Sequence, residues 1–151
     1  ELGFMYVSLE DLLDQADIVS IHCPLVDDTK HLLSEDEFDI MDDSVLINTA
    51  RGEIVDTEAL IKALDDGGVK AAGLDVLEEE CYMEDDIQYL QDLEEKCDPK
   101  VILEDHILME RDDVLVTPHN AFNSKEALER IEDTTIDNIN HHRNLVNSPW
   151  S

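Results

Sequence analysis

The apolar positions of this chain fall into short runs that switch between two spacings. Leu9, Leu12, Leu13 and Ala16 recur at helical steps after Ser8, and Ser8 with acidic Asp11 suits a helix N-terminus, so a short helix is predicted there. Residues 18–23 read as a β-rich strand closed by Pro24, because proline cannot continue a central ladder. Ser34 and Glu37 have capping-box spacing ahead of Phe38, Ile40 and Met41, which predicts a second short helix. Residues 45–48 form another compact strand, and Thr57 is read as the cap of a helix over 58–64 that stops at Gly67 and Gly68. Residues 71–76 and 114–117 supply a third and a fourth strand, the last stopped by Pro118.

Between those last two strands lies an acidic excursion, 78–113, in which Ile87, Leu90 and Leu93 keep helical spacing. From Asn123 and Ser124 onward, Ala127, Leu128, Ile131, Ile136 and Ile139 fall at mostly helical intervals, with Leu145 further along, so a long amphipathic helix is predicted over 123–147. Strands alternating with helices imply parallel pairing through right-handed crossovers. The expected fold class is therefore α/β, a Rossmann-like parallel sheet with helices on both faces. There is no internal repeat and no low-complexity linker, so 151 residues read as one domain with no second boundary.

Composition narrows the partners. A hydrophobic fraction of 42% argues for a folded core despite the charge content. The formal charge of -29, from 10 basic against 39 acidic residues, would repel phosphate backbones and anionic membrane surfaces, so nucleic acid is not an expected partner. The apolar runs, such as 18–23 and 71–76, fall far short of the roughly 20 residues that cross a bilayer, so no membrane span is expected. Cys23, Cys81 and Cys97 form neither a disulfide framework nor a Cys-x-x-Cys site, which points to a cytoplasmic location. His22, His119, His141 and His142 are too irregularly spaced to join them as metal ligands, so no metal is expected. The opening Glu1-Leu2-Gly3 is neither a signal peptide nor an obvious start, which suggests a beginning inside a longer chain.

In open α/β sheets ligands bind beyond the carboxyl ends of the strands. Here those positions carry His22-Cys23-Pro24-Leu25, Asn48-Thr49-Ala50-Arg51-Gly52, Asp75-Val76-Leu77-Glu78-Glu79-Glu80 and Thr117-Pro118-His119-Asn120-Ala121-Phe122, so a cation, carboxylates and an imidazole meet on one rim. Through these motifs, together with Ala16-Asp17-Ile18-Val19 and Gly73-Leu74-Asp75-Val76, nearly the whole chain resembles the D-isomer-specific 2-hydroxyacid dehydrogenases. The long stretch from Glu80 to His119 is more similar to the D-lactate dehydrogenase branch than to the phosphoglycerate branch.

The resemblance implies NAD as cofactor, a small 2-keto or 2-hydroxy acid such as pyruvate or D-lactate as substrate, and a homodimer for the full-length enzyme. It assigns Arg51 to the substrate carboxylate, which a planar guanidinium can hold bidentately while polarising the neighbouring carbonyl. His119 matches the acid/base residue, and Glu80, five residues after Asp75, matches the carboxylate that orients it. Glu78 and Glu79 are competing acids, ordinarily solvated, and Cys81 stands where many relatives have proline. Asp75 matches a residue at the nicotinamide end, and Cys23, Pro24, Thr29, Thr49 and Ala50 fall where relatives line the cofactor cleft. For Cys23 and Pro24, strand-end packing and turn formation are nearly equal readings.

The five glycines form no Gly-x-Gly-x-x-Gly turn for a pyrophosphate, so residues 1–151 read as the C-terminal part of a dinucleotide-binding domain. The final helix would return towards a substrate domain that this chain lacks. A cofactor-sensing corepressor on the same fold and an inactive truncated fragment are the alternatives. The set Arg51, Glu80 and His119 favours an enzyme, because a sensor needs no proton donor.

The charge of -29 with only six lysines also predicts adaptation to concentrated salt. Screening over about 3 Å at 1 M ionic strength, against about 10 Å at 0.1 M, suppresses repulsion among surface carboxylates. Thermal unfolding of the full-length protein, followed by circular dichroism, is expected to move to higher temperature as potassium chloride rises to molar levels. A melting temperature that stays flat or falls removes this reading.

Overall fold

The computed structural model describes residues 3–78 and 98–146, with side-chain surroundings up to residue 141. The chain divides into two compact units, Glu1–His119 and Asn120–Ser151. The first holds a four-stranded parallel sheet in the order β1-β2-β3-β4, built from β1 (Ile18–Ile21), β2 (Ser44–Asn48), β3 (Val69–Leu74) and β4 (Val114–Val116). Helices α1 (Leu9–Gln15), α2 (Glu35–Phe38), α3 (Thr57–Asp66) and α4 (Pro99–Met109) precede or connect the strands. The second unit contains α5 (Lys125–Val146).

Each helix starts on an identifiable side chain. Ser8 accepts from the Asp11 N–H at 3.1 Å and opens α1. Glu37 folds back onto Ser34, accepting its N–H at 3.1 Å and its hydroxyl at 2.7 Å, as the predicted capping-box spacing requires. Helix α2 closes after one turn, so Ile40 and Met41 lie beyond it, although Met41 is buried. The cap of α3 is Asp56, whose carboxylate accepts the Ala59 N–H at 2.9 Å. Thr57, expected to be that cap, is the first helical residue because Asp56 already supplies the acceptor one position earlier. Gly67, at φ 87°, ends the helix in the left-handed conformation that glycine adopts without strain. The predicted helical pattern at Ile87, Leu90 and Leu93 lies outside the described residues. The same excursion carries α4, begun by Asp98 and Pro99 in the positions that favour helix entry.

Strand pairing sets limits that local pattern does not. β1 stops at Ile21, opposite Asn48, rather than at Cys23, because β2 offers no further partner. β3 starts two residues earlier than expected, at Val69, which pairs with Ser44 before a bulge restores the register at Val45 and Ala71. It ends at Leu74, which faces Asn48 on one side and Val116 on the other.

One face of the sheet is the core. Val19, Ile21, Leu46, Ala72 and Leu74 join Leu13, Phe38, Leu60 and Leu108 from the four helices in a single buried cluster. The strand order never reverses, so right-handed crossovers deliver α2, α3 and α4 to the same side. On the opposite face Ile18 is 62% and Leu115 67% exposed, while Val45 and Ile47 of the central strand are half-buried. In the second unit, α5 runs 22 residues with Leu128, Ile131, Ile136 and Ile139 exposed. No helix among the described residues is long and apolar enough to cross a membrane.

Arg111 ties α3 to the start of β4. Its guanidinium grips Asp113 with two parallel bonds, at 2.8 and 2.9 Å, and reaches Asp65 at 2.6 Å. The hydrogen bonds from Arg111, helped by its charge, hold the Asp113 carboxyl below its usual range. A lowered native value means that this pair stabilises the fold above the ordinary aspartate pKa of about 3.9 and loses its contribution as pH falls through the native value. Asp113→Asn is expected to lower the melting temperature by about 1–3 °C at pH 7, a small figure because the pair is partly solvated. That gap should close as melts are repeated towards pH 3, and equal melting temperatures at pH 7 would show that the pair contributes nothing.

Candidate functional site

Because the four strands are parallel, their carboxyl ends share one rim, and the turns that leave them build the site. Asn48 organises the central turn. It is buried, with 1% of its surface exposed, and its amide donates to the Arg51 carbonyl at 2.8 Å while its side-chain oxygen accepts the Ala50 N–H at 3.0 Å. A buried amide left unpaired would be costly, so these bonds set the 48–51 backbone in one conformation. The Asn48 carbonyl also accepts the Asp75 N–H at 2.9 Å, and the Asp75 carbonyl accepts the His119 N–H at 3.0 Å. A continuous series of hydrogen bonds thus joins the turns that carry Arg51, Asp75 and His119.

Beside Arg51 opens a cleft of about 610 Å3, lined by His22, Cys23, Pro24, Leu25, Thr49, Ala50 and Arg51. That volume lies in the range of small-molecule and cofactor sites. The structure therefore brings together Cys23, Pro24, Thr49, Ala50 and Arg51 from the residues singled out in the sequence. The guanidinium of Arg51 is exposed and donates to the Ala50 carbonyl at 2.6 Å. No carboxylate among the described residues pairs with it, in a chain with 39 acidic residues.

The other sequence-predicted residues are placed differently. Thr29 is absent from the cleft wall; its hydroxyl donates to the Pro24 carbonyl at 2.7 Å and accepts the Val26 N–H at 2.8 Å, closing the loop that carries one wall. Asp75 is buried, and its carboxylate accepts the Thr117 hydroxyl. His119 is exposed and sits at φ 47°, in the left-handed region, held there by its N–H bonds to the carbonyls of Asp75 and Thr117. Glu80 lies outside the described residues.

Glu78, read from sequence as an ordinary solvated acid, is largely buried, with 11% of its side chain exposed. One carboxylate oxygen meets His31 Nε2 at 2.5 Å, and the other accepts the Thr57 N–H at 3.1 Å and its hydroxyl at 2.8 Å. Neither His31 nor Thr57 stands out in the sequence as a partner for it. His22 and Leu25 also line the cleft, and their only sequence signal is adjacency to Cys23 and Pro24. Among the described residues no group of three histidine, cysteine, aspartate or glutamate side chains is arranged to hold a metal.

Gly52, directly after Arg51, is buried at a point where another chain segment comes closest. A Cβ added there would sit inside the Leu77 carbonyl and against the Glu78 nitrogen, both backbone groups that cannot swing away. Only glycine permits this approach.

Residues 1–121 match the family model of the D-isomer specific 2-hydroxyacid dehydrogenase, NAD binding domain. The chain is 58% identical over 81 residues to the glyoxylate reductase of Aeropyrum pernix, covering 53% of this chain and 24% of that protein. It is 36% identical to the D-lactate dehydrogenase of Escherichia coli, over 93% of this chain and 41% of the relative. In structure it is similar to D-lactate dehydrogenase from Aquifex aeolicus complexed with NAD and lactic acid, with a TM-score of 0.70, 35% identity, and coverage of 94% of this chain and 40% of that one. The chain thus spans less than half the length of these relatives.

Gly52→Ala is expected to destabilise the protein by about 3 kcal/mol or more, at the upper end of overpacking costs, because backbone must move to admit the methyl group. Denaturant titration of the full-length protein measures it. A loss below about 0.5 kcal/mol, the size of an ordinary surface substitution, would contradict the close packing of the Arg51 turn on the 77–78 backbone.

Proposed function

We propose, from the premise that the chain belongs to the D-isomer-specific 2-hydroxyacid dehydrogenase family and carries part of its NAD-binding domain, that it supplies the catalytic half of an enzyme interconverting a 2-keto acid and a D-2-hydroxy acid, such as pyruvate and D-lactate. The observation that carries this reading is Arg51, a guanidinium on a cleft wall that no carboxylate among the described residues neutralises. An acidic protein repels anions from most of its surface, and a cation kept open in a cleft gives a 2-keto acid carboxylate its place to bind.

The residues present fit one end of NAD. Cys23, Pro24 and Ala50 give the cleft a partly apolar wall suited to a flat ring, and the reading assigns buried Asp75, next along the rim, to the nicotinamide end. The pyrophosphate needs a glycine-rich turn, and the sequence contains none. NAD, when bound, supplies or accepts the hydride. Arg51 holds the substrate carboxylate in the plane of its guanidinium and draws electron density from the adjacent carbonyl. An imidazole nitrogen of His119 donates a proton to the carbonyl oxygen in reduction and takes it back from the hydroxyl in oxidation. Glu80 holds the imidazolium form and fixes the ring's orientation. In the same reading, α5 runs towards the substrate domain of the full-length enzyme.

His119→Gln in the full-length protein is expected to lower turnover with pyruvate and NADH by about a hundredfold while NADH affinity changes little, because proton transfer alone is lost. Steady-state kinetics and fluorescence titration of NADH separate the two. Unchanged turnover would remove His119 from the reaction.

A further inference from the structure

The two walls of the cleft run separately into one buried carboxylate. From Leu25, at the end of the first wall, the chain continues six residues to His31; from Arg51, at the end of the second, it continues six residues to Thr57. Glu78 holds both destinations, His31 at 2.5 Å through one oxygen and Thr57 through the other. Residues 31–33 and 53–56 are laced together as well, by His31 N–H to Glu53 O at 2.8 Å, Leu33 N–H to Ile54 O at 3.2 Å and Asp56 N–H to Leu33 O at 3.0 Å.

Capping α3 accounts for only one oxygen of this carboxylate: Asp56 takes the Ala59 N–H and one Glu78 oxygen takes the Thr57 N–H, while the other Glu78 oxygen reaches His31 on a separate segment. Burying a carboxylate is unfavourable unless every oxygen is engaged, and here both are, each by a different wall. His31 adopts φ 50° to reach it, with Nδ1 lying 3.7 Å from Asp56. Gly52 packs against the Leu77 and Glu78 backbone, so the carboxylate is anchored to the Arg51 turn at its main chain also.

We propose that Glu78, bridging His31 and Thr57, is a positioning residue that sets the separation of the two cleft walls and so the presentation of Arg51 to the substrate carboxylate. The proposal rests on the dehydrogenase reading above. Glu78 is not part of the cleft wall; it acts through Arg51. Loss of the brace therefore weakens the hold on the 2-keto acid and leaves the proton transfer at His119 in place, which raises KM more than it lowers kcat.

The test uses the full-length protein with pyruvate and NADH. Glu78→Gln keeps the shape but removes the charge and one of the two acceptors that hold His31 and Thr57, and it is expected to raise the KM for pyruvate about tenfold with kcat within about threefold of the parent. Asp113→Asn loosens the Arg111 pair at the start of β4, the end of that strand opposite the rim; it is expected to lower the melting temperature and leave that KM unchanged, which separates positioning from general loss of stability. Should Glu78→Gln fail to fold, His31→Asn decides the matter, since asparagine tolerates a positive φ and removes one arm of the brace. A rise in KM supports the proposal, and a parent-like KM in the variant that folds overturns it. Arg51→Lys distinguishes the levels: a loss of catalytic efficiency beside a parent-like Glu78→Gln overturns the brace alone, whereas parent-like efficiency for Arg51→Lys overturns the site reading and the brace together.

Discussion

The site depends on the buried amide of Asn48. A primary amide has two donors and an accepting oxygen, and an apolar environment gives it no water to satisfy them. Asn48 ends the strand that pairs on both sides, so its side chain is enclosed by the sheet and by the turn that follows. The turn wraps back because its Ala50 N–H and Arg51 carbonyl are the partners the amide finds. Arg51 thereby leaves the sheet in a defined direction at the edge of the cleft. The main-chain carbonyl of Asn48 passes the alignment to Asp75, and from there to His119.

Around this centre the fold uses close approach of backbone to backbone. Gly52 admits the 77–78 segment, and the Glu78 carboxylate then joins two loops that are separate in sequence. These contacts lie at the rim, where Leu77 also joins the apolar cluster between sheet and helices. The division of labour is physical: apolar burial is non-directional and sets how tightly the layers pack, whereas hydrogen bonds to buried polar groups have preferred geometry and can set where a guanidinium points.

The distribution of charge follows from the same arrangement. Cations near the surface are mostly bound to acids of the chain, as Arg111 is to Asp65 and Asp113, and Lys100 to Glu58 and Glu104. Arg51 differs in lining a concave wall, where no carboxylate of the described residues meets it. In a chain of charge -29, an open cation in a cleft concentrates positive potential at one place on an otherwise anion-repelling surface.

The order of strands and helices was legible in the sequence, because the periods that mark them are local: apolar residues at three- and four-residue steps around Leu12, and unbroken apolar runs at 45–48 and 71–76. The motif Asn48 to Gly52 could be read the same way, as could the family likeness and the position of Arg51, since each depends on neighbours in the chain. Tertiary structure alone decided where the strands stop, because β1 ends at the last residue that β2 can pair. It also chose Asp56 over Thr57 as the cap of α3, turned the Thr29 hydroxyl into a loop clasp, and buried Glu78. The His31 and Glu78 side chains stand 47 positions apart in sequence, and no local pattern records a meeting at that range. A carboxylate among many acids acquires a distinct role only when folding removes its water and leaves it particular partners, and that selection belongs to packing.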